Sequence, residues 1–275
     1  MEKYLIDREQ KNMENIKIIF IDIDGTLADD ASLISEENKE ALKKLEKNQI
    51  IPVLCSGRTR NTVKTRCEEI GVSNTFICSN GAEIFDVKSQ ETIYLKHISN
   101  FIIKMLFNFC QKRNIGIMLR TTSKAYVNMD WKITNKRYNI IENYMEISEE
   151  KIVRIKFKVE ERKVLNLLLI FLRLCGIKVT TKEEENENSI IGVCKSNINK
   201  GTAIKRYLKM QKINPNYACA IGNDYNDISM FKKVKYRVAM ANSIKKLKNK
   251  ANYITLSNND NGVSFFINEK IFRGK

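Results

Sequence analysis

The feature that most constrains this chain is a short β-branched run, IKIIFIDI from Ile16 to Ile23, closed by Asp24-Gly25-Thr26. An apolar run of this length, stopped by a glycine turn, reads as a strand buried on both faces, which is how strands of parallel sheets are placed. The residues that follow repeat the unit. Ser35 is placed to cap a helix that carries Ala41, Leu42 and Leu45 on one face. A second buried strand spans Ile50 to Cys55, a helix spans Asn61 to Ile70, and a third strand runs from Thr75 to Cys78 before Ser79-Asn80-Gly81. Strand and helix alternating in this way imply a parallel sheet with right-handed crossovers, an α/β fold of the doubly wound, Rossmann-like kind.

The middle of the chain reads differently. Strand patterns at Thr92–Leu95, Ile115–Arg120, Ala125–Asn128 and Ile152–Val159 surround two helices, Asn100–Arg113 and Glu161–Cys175. A doubly wound sheet uses short connections, so an excursion of this length is read as an inserted α/β cap domain. The division expected is residues 1–83 and 191–275 for the core and 84–190 for the cap, with the acidic stretch at 183–188 as an exposed turn. Helix–strand alternation resumes at Gly201, with strands at Tyr217–Ile221, Tyr236–Ala239 and Tyr253–Thr255, and helices from Gly201 to Met210, from Asp227, and through the lysine run after Ile244.

Composition narrows the class of partner. The 275 residues carry 48 Lys+Arg against 32 Asp+Glu, a net charge of +16. The excess is uneven: residues 1–82 hold 12 basic and 14 acidic side chains, whereas 198–275 hold 16 and 4. No zinc-finger, KH or RRM signature accompanies it, so a solvated basic face is expected in place of a nucleic-acid site. The longest apolar stretch, Val164 to Cys175, contains Asn166 and Arg173 and falls short of the roughly 18 to 20 residues of a membrane span. The first fifteen residues have no apolar signal core, and seven cysteines without a C-x-x-C pair read as reduced thiols. A cytoplasmic location is the expectation.

The chemistry concentrates at strand ends. Asp22 and Asp24 are two apart at the end of the first strand, hence on one side of it, where open α/β sheets bind ligands. Two adjacent carboxylates call for a cation, and hard oxygen ligands favour Mg²⁺. Ser56-Gly57-Arg58-Thr59 after the second strand offers a hydroxyl and a turn for phosphate oxygens. Asn199-Lys200-Gly201 opens a helix with an ammonium at its positive end, an arrangement suited to an anion. Gly222-Asn223-Asp224-Tyr225-Asn226-Asp227 supplies further oxygen ligands. Each segment alone has a duller reading as a cap, a surface lysine or a turn; together they describe one pocket for carboxylates, a metal and a phosphate. His97, Trp131, Tyr138 and Cys55 are read as packing or surface residues, and neither a Walker A loop nor G-x-G-x-x-G is present.

In this order the segments DIDGTLADD, CSGRT, SNGA, NKGTAI, GNDYNDISM and VAMANSIKKLKNKANYIT resemble the haloacid dehalogenase superfamily, specifically its Cof-type phosphatases with an inserted α/β cap. The resemblance runs from Ile18 to about Ile267. It implies a Mg²⁺-dependent phosphatase acting on a small phosphomonoester, a sugar phosphate or phosphorylated cofactor, through an aspartyl-phosphate. Asp22 would be the nucleophile and Asp24 the general acid and base. Gly25, Thr26, Ser56, Gly57 and Lys200 would hold the phosphoryl group. The metal would lie on Asp22, Asp24, Asn223 and Asp227, with Arg58, Asn80, Gly81 and Asn226 toward the substrate. One departure stands out: the usual G-D-x-x-N-D has an amide, Asn223, at its first acidic position and a carboxylate, Asp224, one place later. Either Asn223 donates its oxygen or Asp224 takes over in a shifted loop. A phosphosugar mutase and a catalytically idle, basic nucleic-acid-binding protein on the same fold are the alternative readings.

Overall fold

The computed structural model describes residues 15–129, 138–185, 188–195 and 197–273. Its first element, β1 (Ile18–Ile21), is buried along its whole length. The helix α1 (Glu36–Lys47) follows, capped as its sequence predicts by the Ser35 side chain, which accepts from Asn38 N–H. Then come β2 (Ile51–Leu54), α2 (Arg60–Ile70) and β3 (Phe76–Cys78). Here the structure departs from expectation. β3 meets β2 through a single parallel bridge, Cys55 to Ile77, and its other edge pairs antiparallel with β4 (Glu83–Asp86), itself paired with β5 (Glu91–Leu95). The turn at Ser79–Gly81 is so tight that the chain returns at once, and this three-stranded patch stays with the first compact unit.

That unit comprises the residues up to Leu95 and those from Asn199 onward; the second unit is Lys96–Ile198. These junctions fall after residue 95 and residue 198, later than the sequence reading of 83 and 190.

The second unit begins with α3 (Asn100–Gln111), β6 (Gly116–Arg120), β7 (Ala125–Val127) and β8 (Asn139–Ile140). It continues through β9 (Arg154–Val159), α4 (Arg162–Leu174), β10 (Ile177–Glu185) and β11 (Asn188–Lys195). Its six-stranded sheet has the order β10-β11-β9-β6-β7-β8. All its pairs are antiparallel except β7 with β8. The acidic stretch read as a turn lies mostly in the β10–β11 hairpin, since Glu185 pairs with Asn188. Alternation gives the sheet two unlike faces. Ile117, Leu119, Ile155, Phe157, Ile191 and Val193 pack with Leu106, Phe107, Leu165 and Leu168 of the two helices, whereas Met118 and Val127 lie on the other face with Met129 and Tyr138. Trp131 lies outside the described residues.

The first unit then resumes with α5 (Lys200–Met210), β12 (Ala218–Gly222), α6 (Ile228–Phe231) and β13 (Tyr236–Ala239). It ends with α7 (Lys245–Lys248), β14 (Tyr253–Ile254) and α8 (Gly262–Phe266). Five strands form a wholly parallel sheet in the order β14-β13-β12-β1-β2. Pro52, which cannot donate a ladder hydrogen bond, sits in the edge strand β2 of this sheet. Helices cover both faces. Ile19, Ile21, Leu54 and Ile221 pack with Ala41 and Leu42 of α1 and Val63 of α2, while Ile18, Phe20, Val53 and Ala220 pack with Ala203 and Ile204 of α5. Because β1 leads to β2 on one side and pairs with β12 on the other, the order reverses at β1, the place where open α/β sheets leave a crevice. Among the described residues no helix is long and apolar enough to cross a membrane.

Candidate active site

The carboxyl ends of β1 and β12 and the start of α5 bring five side chains into one network. Lys200 is fully buried, and its Nζ donates to Asp22 Oδ1 at 2.5 Å and to Asp227 Oδ1 at 2.7 Å. Both carboxylates are buried as well, Asp22 at 5% exposure and Asp227 at 0%. Thr26 Oγ1 lies 3.2 Å from both Asp22 Oδ2 and Asn223 Oδ1. Asp227 is engaged on both oxygens, since its Oδ2 accepts the backbone N–H groups of Asn223 at 2.9 Å and Asp224 at 3.0 Å.

Charge does not balance inside this network. Two carboxylates share one ammonium. Burial and the facing Asp227 push the Asp22 carboxyl up to about 7, although Lys200 pulls the other way. Burial alone would lower Lys200, but the two carboxylates hold it well above its ordinary value. Burial also pushes the neighbouring Cys55 thiol up.

Glycines let these segments approach. Gly25 has φ +68°, and a Cβ there would stand 2.3 Å from Asn223 Nδ2. Gly81 has φ +93°, and its Cβ would strike the Asn199 carbonyl oxygen at 2.3 Å. Ser79 and Asn80 precede it with φ 51° and 55°, so three successive residues occupy the left-handed region. This turn is laced to the loop after β2. Ser79 N–H donates to Arg58 O at 2.8 Å, Asn80 N–H donates to Ser56 O at 3.0 Å, and Ser56 Oγ accepts Arg58 N–H at 3.1 Å. Gly57 leaves room for the Asn80 side chain, which accepts from Asn226 Nδ2 at 3.2 Å.

Two assignments are sharpened. Arg58, placed toward the substrate by sequence, grips Asp24: its Nε is 2.9 Å from both carboxylate oxygens and its second nitrogen also donates. Hydrogen bonding to Asp24 in turn raises Arg58 above its usual value. Asp224 is exposed and accepts from Tyr225 N–H at 2.6 Å, an ordinary cap, while Asn223 occupies the position beside Asp22.

Sequence reasoning assigned no role to several supporting residues. Asn242 Nδ2 donates to Gly25 O at 2.8 Å, Ser243 Oγ to Gly222 O at 3.1 Å, and Ile244 N–H to Asn223 O at 3.0 Å. The signal available was their position just after β13, at the same sheet end. Glu83 is fully buried and accepts from Thr92 Oγ1 at 2.6 Å and from the Arg60 guanidinium, bracing the start of α2. His97 is half-buried with Nδ1 2.9 Å from Ile98 O, in the second unit.

The donor set is suited to a hard cation. Asp22, Asn223 and the nearby Asp24 backbone offer oxygens only, beside a net negative charge left by two carboxylates and one ammonium. Among the described residues no three His, Cys, Asp or Glu side chains form a metal cage by themselves, so amide and carbonyl oxygens must complete any such site.

Comparison with known proteins gives a consistent result. A model of haloacid dehalogenase-like hydrolases matches residues 19–267. The chain is 30% identical over 258 residues to the 5-amino-6-(5-phospho-D-ribitylamino)uracil phosphatase YcsE of Bacillus subtilis, covering 93% of this chain and 96% of that protein. In fold it is similar to TM0651 from Thermotoga maritima, with TM-score 0.81, 22% identity and coverage of 92% and 97%. It is likewise similar to the subclass IIB sugar phosphatase BT4131, with TM-score 0.71, 20% identity and coverage of 92% and 98%.

Proposed function

The chain belongs to the haloacid dehalogenase-like hydrolases, and on that premise we propose that it is a Mg²⁺-dependent phosphatase of small phosphomonoesters. The observation that carries this reading is the network in which Asp22, Thr26, Lys200, Asn223 and Asp227 converge, its hydrogen bonds bridging up to 197 positions.

Asp22 Oδ attacks phosphorus, and the bond from phosphorus to the ester oxygen breaks. Asp24, with Arg58 beside it, gives a proton to the departing oxygen. In the second half a water oxygen attacks the aspartyl-phosphate, Asp24 takes a proton from that water, and phosphate leaves with Asp22 restored. Thr26, Ser56 and Lys200 hold the phosphoryl oxygens as their charge redistributes. Lys200 is held in place by Asp227, which also pins the backbone of Asn223 and Asp224. Mg²⁺ would be held by Asp22, the Asp24 carbonyl and Asn223, with Asp227 fixing the loop behind them. It would neutralise charge between nucleophile and phosphate.

Relatives named as a 5-amino-6-(5-phospho-D-ribitylamino)uracil phosphatase and a sugar phosphatase support a phosphorylated polyol or sugar as the first group to test. A phosphate-release screen over such metabolites, with and without Mg²⁺, uses Asp22→Asn as control. Turnover that needs Mg²⁺ and falls about a thousandfold or more in the variant supports the reading. Equal turnover by the variant overturns it, and product analysis with a hexose phosphate separates hydrolysis from mutase chemistry.

A further inference from the structure

The second unit holds a group of cations that the chemistry above does not use. Arg120 at the end of β6 lies directly across from Arg154 at the start of β9, and the row continues with Met118 opposite Lys156 and Gly116 opposite Lys158. Alternation puts these side chains on the sheet face of Met118 and Val127, away from α3 and α4. Arg120 Nε, 3.4 Å from Met118 Sδ, agrees with that placement.

Like charges directly opposite in an antiparallel pair destabilise it. Here the pair is also half-buried, and burial followed by the Arg154 charge lowers Arg120 below its ordinary value. Among the described residues no carboxylate forms an ion pair with Arg120 or Arg154. A merely solvated basic face has no need to bring two guanidinium groups into register and withdraw them from water. Guanidinium side chains from two residues opposite one another in the ladder instead offer planar donor forks suited to the oxygens of an anion.

We propose that the Arg120–Arg154 row is a binding site for an oxyanion, a phosphate or carboxylate group. Met118 and Val127 form its apolar floor, and Lys158 follows along β9 on the same face. The site is separate in composition from the Asp22 network, since it contains cations and no nucleophile.

The test follows the arginine side-chain Nε–H signals of the full chain by NMR during titration with inorganic phosphate, sulfate and citrate. The Arg120 and Arg154 signals are expected to shift together and to saturate. R154Q should weaken the binding about tenfold, and R154K should fall between, because it keeps the charge and loses the fork. The melting temperature of R154Q should be unchanged or higher, because a repulsion has been removed. Signals of Arg120 and Arg154 that stay still while those of Arg58 move would overturn the proposal, as would unchanged affinity in R154Q.

A kinetic arm separates the sources of the anion and rests on the proposed phosphatase activity, whereas the spectroscopic arm does not. If the group belongs to the substrate, R120Q raises KM about tenfold for a bisphosphorylated sugar and leaves p-nitrophenyl phosphate unchanged. A free anion acting as effector instead alters turnover of both substrates alike when titrated into the wild type, and that response is lost in R120Q.

Discussion

The two units treat buried charge in opposite ways. In the first, cations and carboxylates meet: Lys200 lies between Asp22 and Asp227, Arg58 grips Asp24, and Arg60 answers Glu83. In the second, Arg120 faces Arg154, and among the described residues no carboxylate forms an ion pair with either. At the strand ends of the parallel sheet, cations and carboxylates are set against one another before any ligand arrives. In the antiparallel sheet two arginines stand opposite each other instead, an arrangement that a bound anion would satisfy. On the two proposals made above, the contrast separates machinery that performs a reaction from a surface that recognises a ligand.

The largest effect should come from breaking the first arrangement. Lys200→Met strands two buried carboxylates and should cost about 3–5 kcal/mol of stability by chemical denaturation, with loss of activity. Adding Asp22→Asn to that variant should recover part of the stability and none of the turnover, which marks the loss as electrostatic in origin.

A smaller effect concerns pH. Metal-free Asp22 binds its proton more tightly in the folded state, about 7 against 3.8 unfolded. Between those values the native state holds more protons than the unfolded state, so stability falls as pH rises through the window. Melting curves of the chelator-treated protein should show this decline, and Asp22→Asn should lack it.

The smallest effect distinguishes neighbours in one loop. Asp224→Ala removes only an exposed cap and should cost about 0.5–1 kcal/mol with little change in turnover. Asn223→Ala should leave stability similar yet raise the Mg²⁺ concentration needed for half-maximal activity about tenfold. The reverse order would return the ligand role to Asp224.

Much of the first unit was legible because its signals are local. The run from Ile16 to Ile23, the Ser35 cap and the spacing of Asp22 and Asp24 act within a few residues, and each reads without knowledge of the fold. Lys200 was legible for its place at a helix start, but its complete burial and double pairing were not, since its partners Asp22 and Asp227 lie 178 and 27 positions away on other segments. Arg58 shows the same limit: its charge pointed outward to a substrate, while its partner Asp24 comes from the preceding strand end. The β10–β11 hairpin was missed because an acidic run reads as solvent-loving whatever its backbone does. Nor could sequence spacing set Arg120 against Arg154, because register between β6 and β9 is fixed by the apolar residues on their opposite face.

Gly201 carries a consequence for how the molecule opens. A Cβ at this position would lie 1.9 Å from the Ser229 carbonyl oxygen, and Gly201 N–H already donates to Ser229 Oγ at 3.0 Å. With backbone on backbone, α5 cannot loosen without releasing α6, so the two should exchange their amide hydrogens as one cooperative block. The helix that carries the buried ammonium and the turn that carries its second carboxylate would then protect or expose each other together, and the charge network would persist through any fluctuation smaller than their joint release.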